Sequence, residues 1–82
     1  MRLLVLSPEQ TLLDVEVSAV DIPGASGRFT VLRGHDNLIS SLTEGVIRFL
    51  PMEATTDDER EELNIDGGFV EVRNNVITVC VD

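Results

Sequence analysis

The sequence predicts an all-β fold, and three observations carry that expectation. Valine, isoleucine and threonine supply 22 of the 82 residues and alanine only three. That balance suits pleated, half-buried surfaces and disfavours long helices, because β-branched side chains lose χ1 freedom against a helical turn. Eight strand-like stretches follow one another at short intervals, separated by turn-forming residues. No stretch can supply the helical crossovers of a parallel α/β sheet, which leaves a sandwich or barrel of short, mostly antiparallel strands in one domain, residues 1–82.

The first stretch, residues 2–7, ends at Pro8. In the second, residues 12–22, Asp14, Glu16 and Ser18 alternate with Val15, Val17 and Ala19, after which Val20 and Ile22 fall on the opposite parity. A strand of fixed phase cannot do that. Either a bulge lies near Ala19-Val20 or the end of the strand is covered on both faces, and we favour the bulge. Pro23-Gly24 and Gly27 turn the chain into residues 28–32, Gly34 precedes residues 38–42, and Gly45 opens residues 46–52.

Residues 62–66 follow an acidic segment. Thr56-Asp57-Asp58-Glu59 has the form of a helix capping box. No apolar residue lies between Ala54 and Leu63, however, so a helix there has no face to bury, and Glu53–Glu62 is expected as a solvated hairpin tip. Gly67-Gly68 leads into residues 69–73, and Asn74-Asn75 separates them from residues 76–81. Asparagine tolerates the left-handed conformation that a two-residue hairpin turn requires at both central positions. The turn pairs Arg73 with Val76, and so sets Val72 opposite Ile77 and Val70 opposite Val79 on one face. The other face carries Glu71 with Thr78 and Phe69 with Cys80, a mixture that fits partial exposure or cover from another part of the protein.

Composition narrows the chemistry. The chain has 15 acids, six arginines, no lysine and a formal charge of −9, of which residues 53–62 carry −5. Such a charge repels phosphate backbones, so nucleic acid is excluded as a partner. One cysteine cannot staple its own chain, and one cysteine with one histidine does not make a zinc site. Glu62, Asn64, Asp66 and Gly67 fall on the first, third, fifth and sixth places of a calcium loop. The twelfth place, which must supply a bidentate carboxylate, is Arg73. Gly24-Ala25-Ser26-Gly27-Arg28 lacks the lysine and following helix of a P-loop and reads as a tight turn bearing an exposed arginine. Cys80 and His35 have no spacing that suggests a nucleophile and its base, so no catalytic, cofactor-binding or metal-binding residue is assigned and an enzyme is not expected. Apolar runs stop far short of the roughly 20 residues of a spanning helix, and the first residues show no targeting signal.

Several stretches belong together in one order: Leu3-Leu4-Val5-Leu6-Ser7-Pro8-Glu9, Ile22-Pro23-Gly24, Gly27-Arg28-Phe29-Thr30-Val31-Leu32-Arg33-Gly34-His35, Leu38-Ile39-Ser40-Ser41-Leu42, Gly45-Val46-Ile47-Arg48, Gly67-Gly68-Phe69-Val70-Glu71-Val72 and Asn75-Val76-Ile77-Thr78-Val79. In that collinear order they resemble the epsilon subunit of F-type ATP synthases over nearly the whole chain. The resemblance implies a flattened β-sandwich, here of about 8–10 strands. It also implies a non-catalytic rotor subunit that binds the gamma subunit of the central stalk and touches the polar loops of the c-ring, coupling proton or sodium flow to ATP synthesis. Carried over by position, Ser7, His35 and Ser40 match places that face gamma, and Gly27 and Arg28 match the turn that meets the ring. The implied location is peripheral, on the cytoplasmic face of the bacterial inner membrane, with the isolated chain soluble and no obligate homo-oligomer. Arg33 and Asn37 stand where the family more often has proline, which predicts a less rigid loop around Gly34-His35. Family members usually continue into an inhibitory C-terminal helical hairpin, and an 82-residue product is expected to lack that brake. The alternative reading of the residues is a free-standing β-sandwich binding module whose recognition element is the acidic loop.

Overall fold

β-Branched and small residues placed between turn signals give eight strands in the computed structural model, which describes residues 1–82. They are β1 (Arg2–Leu6), β2 (Thr11–Gly24), β3 (Gly27–Leu32), β4 (Leu38–Leu42), β5 (Gly45–Pro51), β6 (Glu61–Ile65), β7 (Gly68–Arg73) and β8 (Val76–Val81). Each corresponds to one of the eight expected stretches, within two residues at either end.

β2 joins the two layers of the sandwich. Its first half pairs with β1, from Leu6 opposite Thr11 to Arg2 opposite Glu16. Its second half pairs with β3 on one side and β5 on the other. The ladder to β5 skips Ser18, with Val17 opposite Pro51 and Ala19 opposite Leu50. This is the expected bulge, placed just before Ala19-Val20. It lets Val17 and Val20 both face inward although they are three residues apart, and both are fully buried. One layer therefore runs β4-β7-β8-β1 and the first half of β2, and the other runs β3, the second half of β2, β5 and β6. All pairings are antiparallel except that of β1 with β8.

Between the layers, Leu3, Val5, Val70, Val72, Ile77 and Val79 meet Val20, Ile22, Val31 and Ile47, each exposed by 1% or less. Each such side chain stabilises the fold by roughly 1.5–3 kcal/mol relative to an exposed one. The Asn74-Asn75 turn has φ of 50° and 63°, and the pairs Arg73–Val76, Val72–Ile77 and Val70–Val79 form as the turn chemistry requires.

The acidic segment between β5 and β6 is solvated, with one 3₁₀ turn at Asp57–Glu59 that buries nothing. Thr56 makes no capping hydrogen bond there; Thr55 Oγ1 donates to Glu59 Oε1 instead, at 3.1 Å. Arg60 ends the turn and reaches back to the second layer, 3.5 Å from Asp21 Oδ2. Asp21 also accepts a 2.6 Å bond from Thr30 Oγ1.

Candidate functional site

Ile39 and Phe69 meet solvent on the outward face of the first layer, while Leu32 on β3 and Met52 after β5 are exposed outside it. Register places Ile39, Glu71, Thr78, Leu4 and Asp14 side by side in one row across β4, β7, β8, β1 and β2. Ser41, Phe69, Cys80 and Leu6 form the next row. Ile39 is 74% exposed and Phe69 50% exposed, while Leu4, Leu6 and Cys80 are half-buried. Apolar side chains gathered on one sheet face, rather than scattered singly, make a candidate contact surface. In the second layer Thr30, Asp21, Arg48 and Glu62 lie in one polar row, where Arg48 Nε donates to Glu62 Oε2 at 2.7 Å, and Leu32 at the end of β3 is exposed beyond it.

The apolar face also has charged margins. Arg2 grips Asp14 with two hydrogen bonds, Nε to Oδ1 at 2.8 Å and Nη2 to Oδ2 at 2.7 Å. Hydrogen bonding and then Coulomb attraction raise the Arg2 pKa above its ordinary value, and the same hydrogen bonds hold the Asp14 carboxyl below the usual aspartate value. Both groups stay ionised, so this margin is electrically paired.

The five residues singled out from the sequence take different places around this face. Ser7 stands in the β1–β2 turn at one end, where its hydroxyl donates to Gln10 O at 3.1 Å and accepts from Gln10 N at 3.2 Å. An open depression beside it is lined by Leu6, Ser7, Phe69 and Cys80. His35 lies at the other end, half-buried in the loop between β3 and β4, near a second open depression lined by Asn37, Leu38, Ile39, Glu71 and Arg73. Ser40 sits between them on β4, but in the register of buried Val70; its strand neighbours Ile39 and Ser41 take the outward positions. Gly27 and Arg28 lie apart, in the β2–β3 hairpin, where Gly24 pairs with Gly27. That hairpin stands at the same end of the first layer as Ser7, because Ala25 N donates to Ser41 O at 2.9 Å. Arg28 is exposed, with Nη2 held 2.7 Å from Val46 O.

Ile39 was not singled out from the sequence, and Phe69 was assigned only to a face of mixed character. In Leu38-Ile39-Ser40-Ser41-Leu42 the apolar residues fall on both parities, so alternation does not say which face is outward. Five strands about 4.8 Å apart and roughly 20 Å long project an area of only about 400–500 Å². A stable interface takes about 800 Å² from each partner, so a protein docking here must also engage the turns at the two ends, those of Ser7 and His35. No group of three or more His, Cys, Asp or Glu residues is placed to hold a metal.

Known proteins are similar to this chain in sequence and in fold. The 82 residues match the family described as the ATP synthase delta/epsilon chain β-sandwich domain from residue 1 to residue 82. The ATP synthase epsilon chain of Polynucleobacter necessarius subsp. necessarius (strain STIR1) is 35% identical over 82 residues, which is 100% of this chain and 56% of that one. The chain thus spans little more than half the length of this curated relative. Among solved structures, a chain in the Euglena gracilis mitochondrial ATP synthase (OSCP/F1/c-ring) superposes with a TM-score of 0.83 at 23% identity, covering 96% of this chain and 48% of that one. A chain in the central stalk/c-ring structure of the Tetrahymena thermophila mitochondrial ATP synthase gives 0.79 at 14% identity, covering 99% and 62%. With the layered sheet and the match over its full span together, the chain belongs to the delta/epsilon β-sandwich family of ATP synthases.

Proposed function

We propose that this domain is the β-sandwich of a non-catalytic central-stalk subunit in a proton- or sodium-translocating F-type ATP synthase. It binds gamma through the outward face of the first layer together with the Ser7 turn, the His35 loop and the Ser40 strand. It meets the polar loops of the c-ring through the Gly27-Arg28 hairpin, and so couples ion flow to ATP synthesis. The observation that carries this reading is the family match along all 82 residues. The exposed pair Ile39 and Phe69 supports it by giving a docking partner an apolar surface to cover.

The geometry suits transmission of torque. A part that passes force between two others must deform little under load, and here 37 of 47 backbone hydrogen bonds lie within the strand and helical elements. β2 ties the two layers through one continuous backbone, so force applied to one layer reaches the other without crossing a flexible linker. Arg28, fixed by its bond to the Val46 carbonyl, presents a cation at the end of the sandwich opposite the His35 loop. The reading places the domain peripherally, on the cytoplasmic face of a bacterial inner membrane. No helix is long and apolar enough to cross a membrane.

Co-expression with a gamma subunit tests the reading. A co-purifying pair that survives both low and high salt is the expected result. Failure to co-purify at either salt overturns it and favours a free-standing binding module that uses the acidic loop.

A further inference from the structure

Two hydrogen bonds tie together segments that lie far apart in the sequence. Gly34 N–H donates to Asn75 Oδ1 at 2.7 Å, and Asn74 N–H donates to Asn37 Oδ1 at 3.4 Å. They fall on either side of His35. The loop has little else to hold it: Gly34 is at φ 81°, no proline occurs from Arg33 to Asn37, and its own backbone bond is His35 N to Leu32 O at 3.1 Å. His35 Nδ1 lies 2.8 Å from the carbonyl oxygen of its neighbour Asp36, a contact within the loop itself.

The other partner is stiff. Asn74 and Asn75 occupy both left-handed positions of a two-residue turn, and the ladder behind them carries the buried pair Val72 and Ile77. A soft loop is thus fastened to the end of a rigid hairpin by the Asn75 side-chain oxygen, in a residue that the turn needs only for its backbone conformation, and by the Asn74 backbone N–H, which the loop's own Asn37 accepts. Glycine satisfies that conformation equally well, so the Asn75 amide does something the turn alone does not require.

We propose that Asn75 is a positioning residue for partner recognition: through its bond to Gly34 it holds the His35 loop in the conformation that gamma binds, with Asn37 and Asn74 as the second tie. The proposal rests on the stalk reading above. A loop that samples many conformers binds through the competent fraction alone, and affinity falls in proportion to that fraction. Loss of one neutral hydrogen bond should lower that fraction by roughly two- to tenfold.

Two variants of the full chain test it. Asn75→Gly keeps the left-handed turn and removes the acceptor; Asn75→Asp keeps an oxygen acceptor in a residue that also tolerates the turn. The readouts are amide exchange at Gly34, amide exchange at Val72 and Ile77, and affinity for gamma. In Asn75→Gly, the Val72 and Ile77 amides should stay protected, Gly34 should exchange faster, and gamma should bind roughly two- to tenfold more weakly. Asn75→Asp should restore both Gly34 protection and affinity. Wild-type affinity in Asn75→Gly, or no rescue by Asn75→Asp, overturns the positioning role while leaving the stalk reading intact. A wild-type chain that does not bind gamma overturns the stalk reading and the recognition role together.

Discussion

Arg2 and Asp14 meet in a two-point fork on the outward face, with Nε to Oδ1 at 2.8 Å and Nη2 to Oδ2 at 2.7 Å, although both side chains are about half exposed. The fork lowers the Asp14 pKa, the hydrogen bonds contributing most. A carboxyl whose folded pKa lies below its unfolded one stabilises the fold above the unfolded value and stops doing so as pH falls through the folded value. The Asp14 carboxyl carbon, followed by NMR, should therefore titrate below an ordinary aspartate and return to the ordinary range in Arg2→Ala. An Asp14 titration unmoved by that substitution would show that the fork does not hold in solution. The raised Arg2 pKa has no consequence in this range, since the guanidinium is charged throughout.

Gly68 and Gly27 share nearly the same backbone angle, φ 134° and 132°, yet differ in what surrounds them. A Cβ on Gly68 would overlap the Cys80 carbonyl oxygen, an atom held in the β7–β8 ladder, whereas one on Gly27 meets open space. Gly27→Ala should lose only the backbone term, about 1–3 kcal/mol. Gly68→Ala should lose at least about 3 kcal/mol, because two paired strands must separate to admit the methyl group. Urea unfolding of the two variants checks the order, and equal losses would refute the close approach.

Ile77 is fully buried and Ile39 is 74% exposed. Ile77→Ala should cost about 2–5 kcal/mol, a large share of what a domain of this size possesses, while Ile39→Ala should change stability by no more than about 0.5 kcal/mol. Thermal unfolding distinguishes them. Comparable losses at the two positions would mean that the layer has been turned inside out.

Phe69→Asp and His35→Ala address the proposed docking surface. Phe69→Asp replaces one of the two exposed large apolar side chains of the face with a charge and should weaken gamma binding by about 1–3 kcal/mol without unfolding the isolated chain. His35→Ala should also weaken binding and leave the fold intact. Titration calorimetry against gamma measures both, and unchanged affinity in either variant would place the interface elsewhere.

Deletion of the protein in a cell that uses it should uncouple ion flow from ATP synthesis while the catalytic head still hydrolyses ATP. The measured quantity is ATP made per ion passed through membrane vesicles. An unaltered ratio would refute the coupling role.

What could be read from the residues was local. The Asn74-Asn75 pair defines its turn by left-handed tolerance and thereby the β7–β8 register, and the parity change after Ala19 announces a bulge. Its position just before Ala19-Val20 follows from Ser18, a small polar residue that leaves the ladder and donates to Leu50 O at 3.4 Å. The capping pattern at Thr56 caps nothing, as the lack of an apolar face predicts: the backbone makes one 3₁₀ turn there and the Thr56 side chain makes no hydrogen bond to it.

The proposed docking face was legible only in part. Ser7, His35, Ser40, Gly27 and Arg28 followed from resemblance, whereas Ile39 depends on which face of β4 turns toward the other layer, and the Leu38–Leu42 alternation is equivocal. Alternation, turn preference and chirality act within a few residues, so the sequence by itself determined the strands, their turns and the hairpin register. Which distant strands lie side by side was decided by the tertiary structure: the parallel joining of β1 to β8, the doubling of β2 across both layers, the reach of Arg60 to Asp21 and the fastening of Gly34 to Asn75. Those choices depend on how much apolar surface each arrangement buries against the loop-closure entropy it must overcome, a balance struck over the whole chain at once.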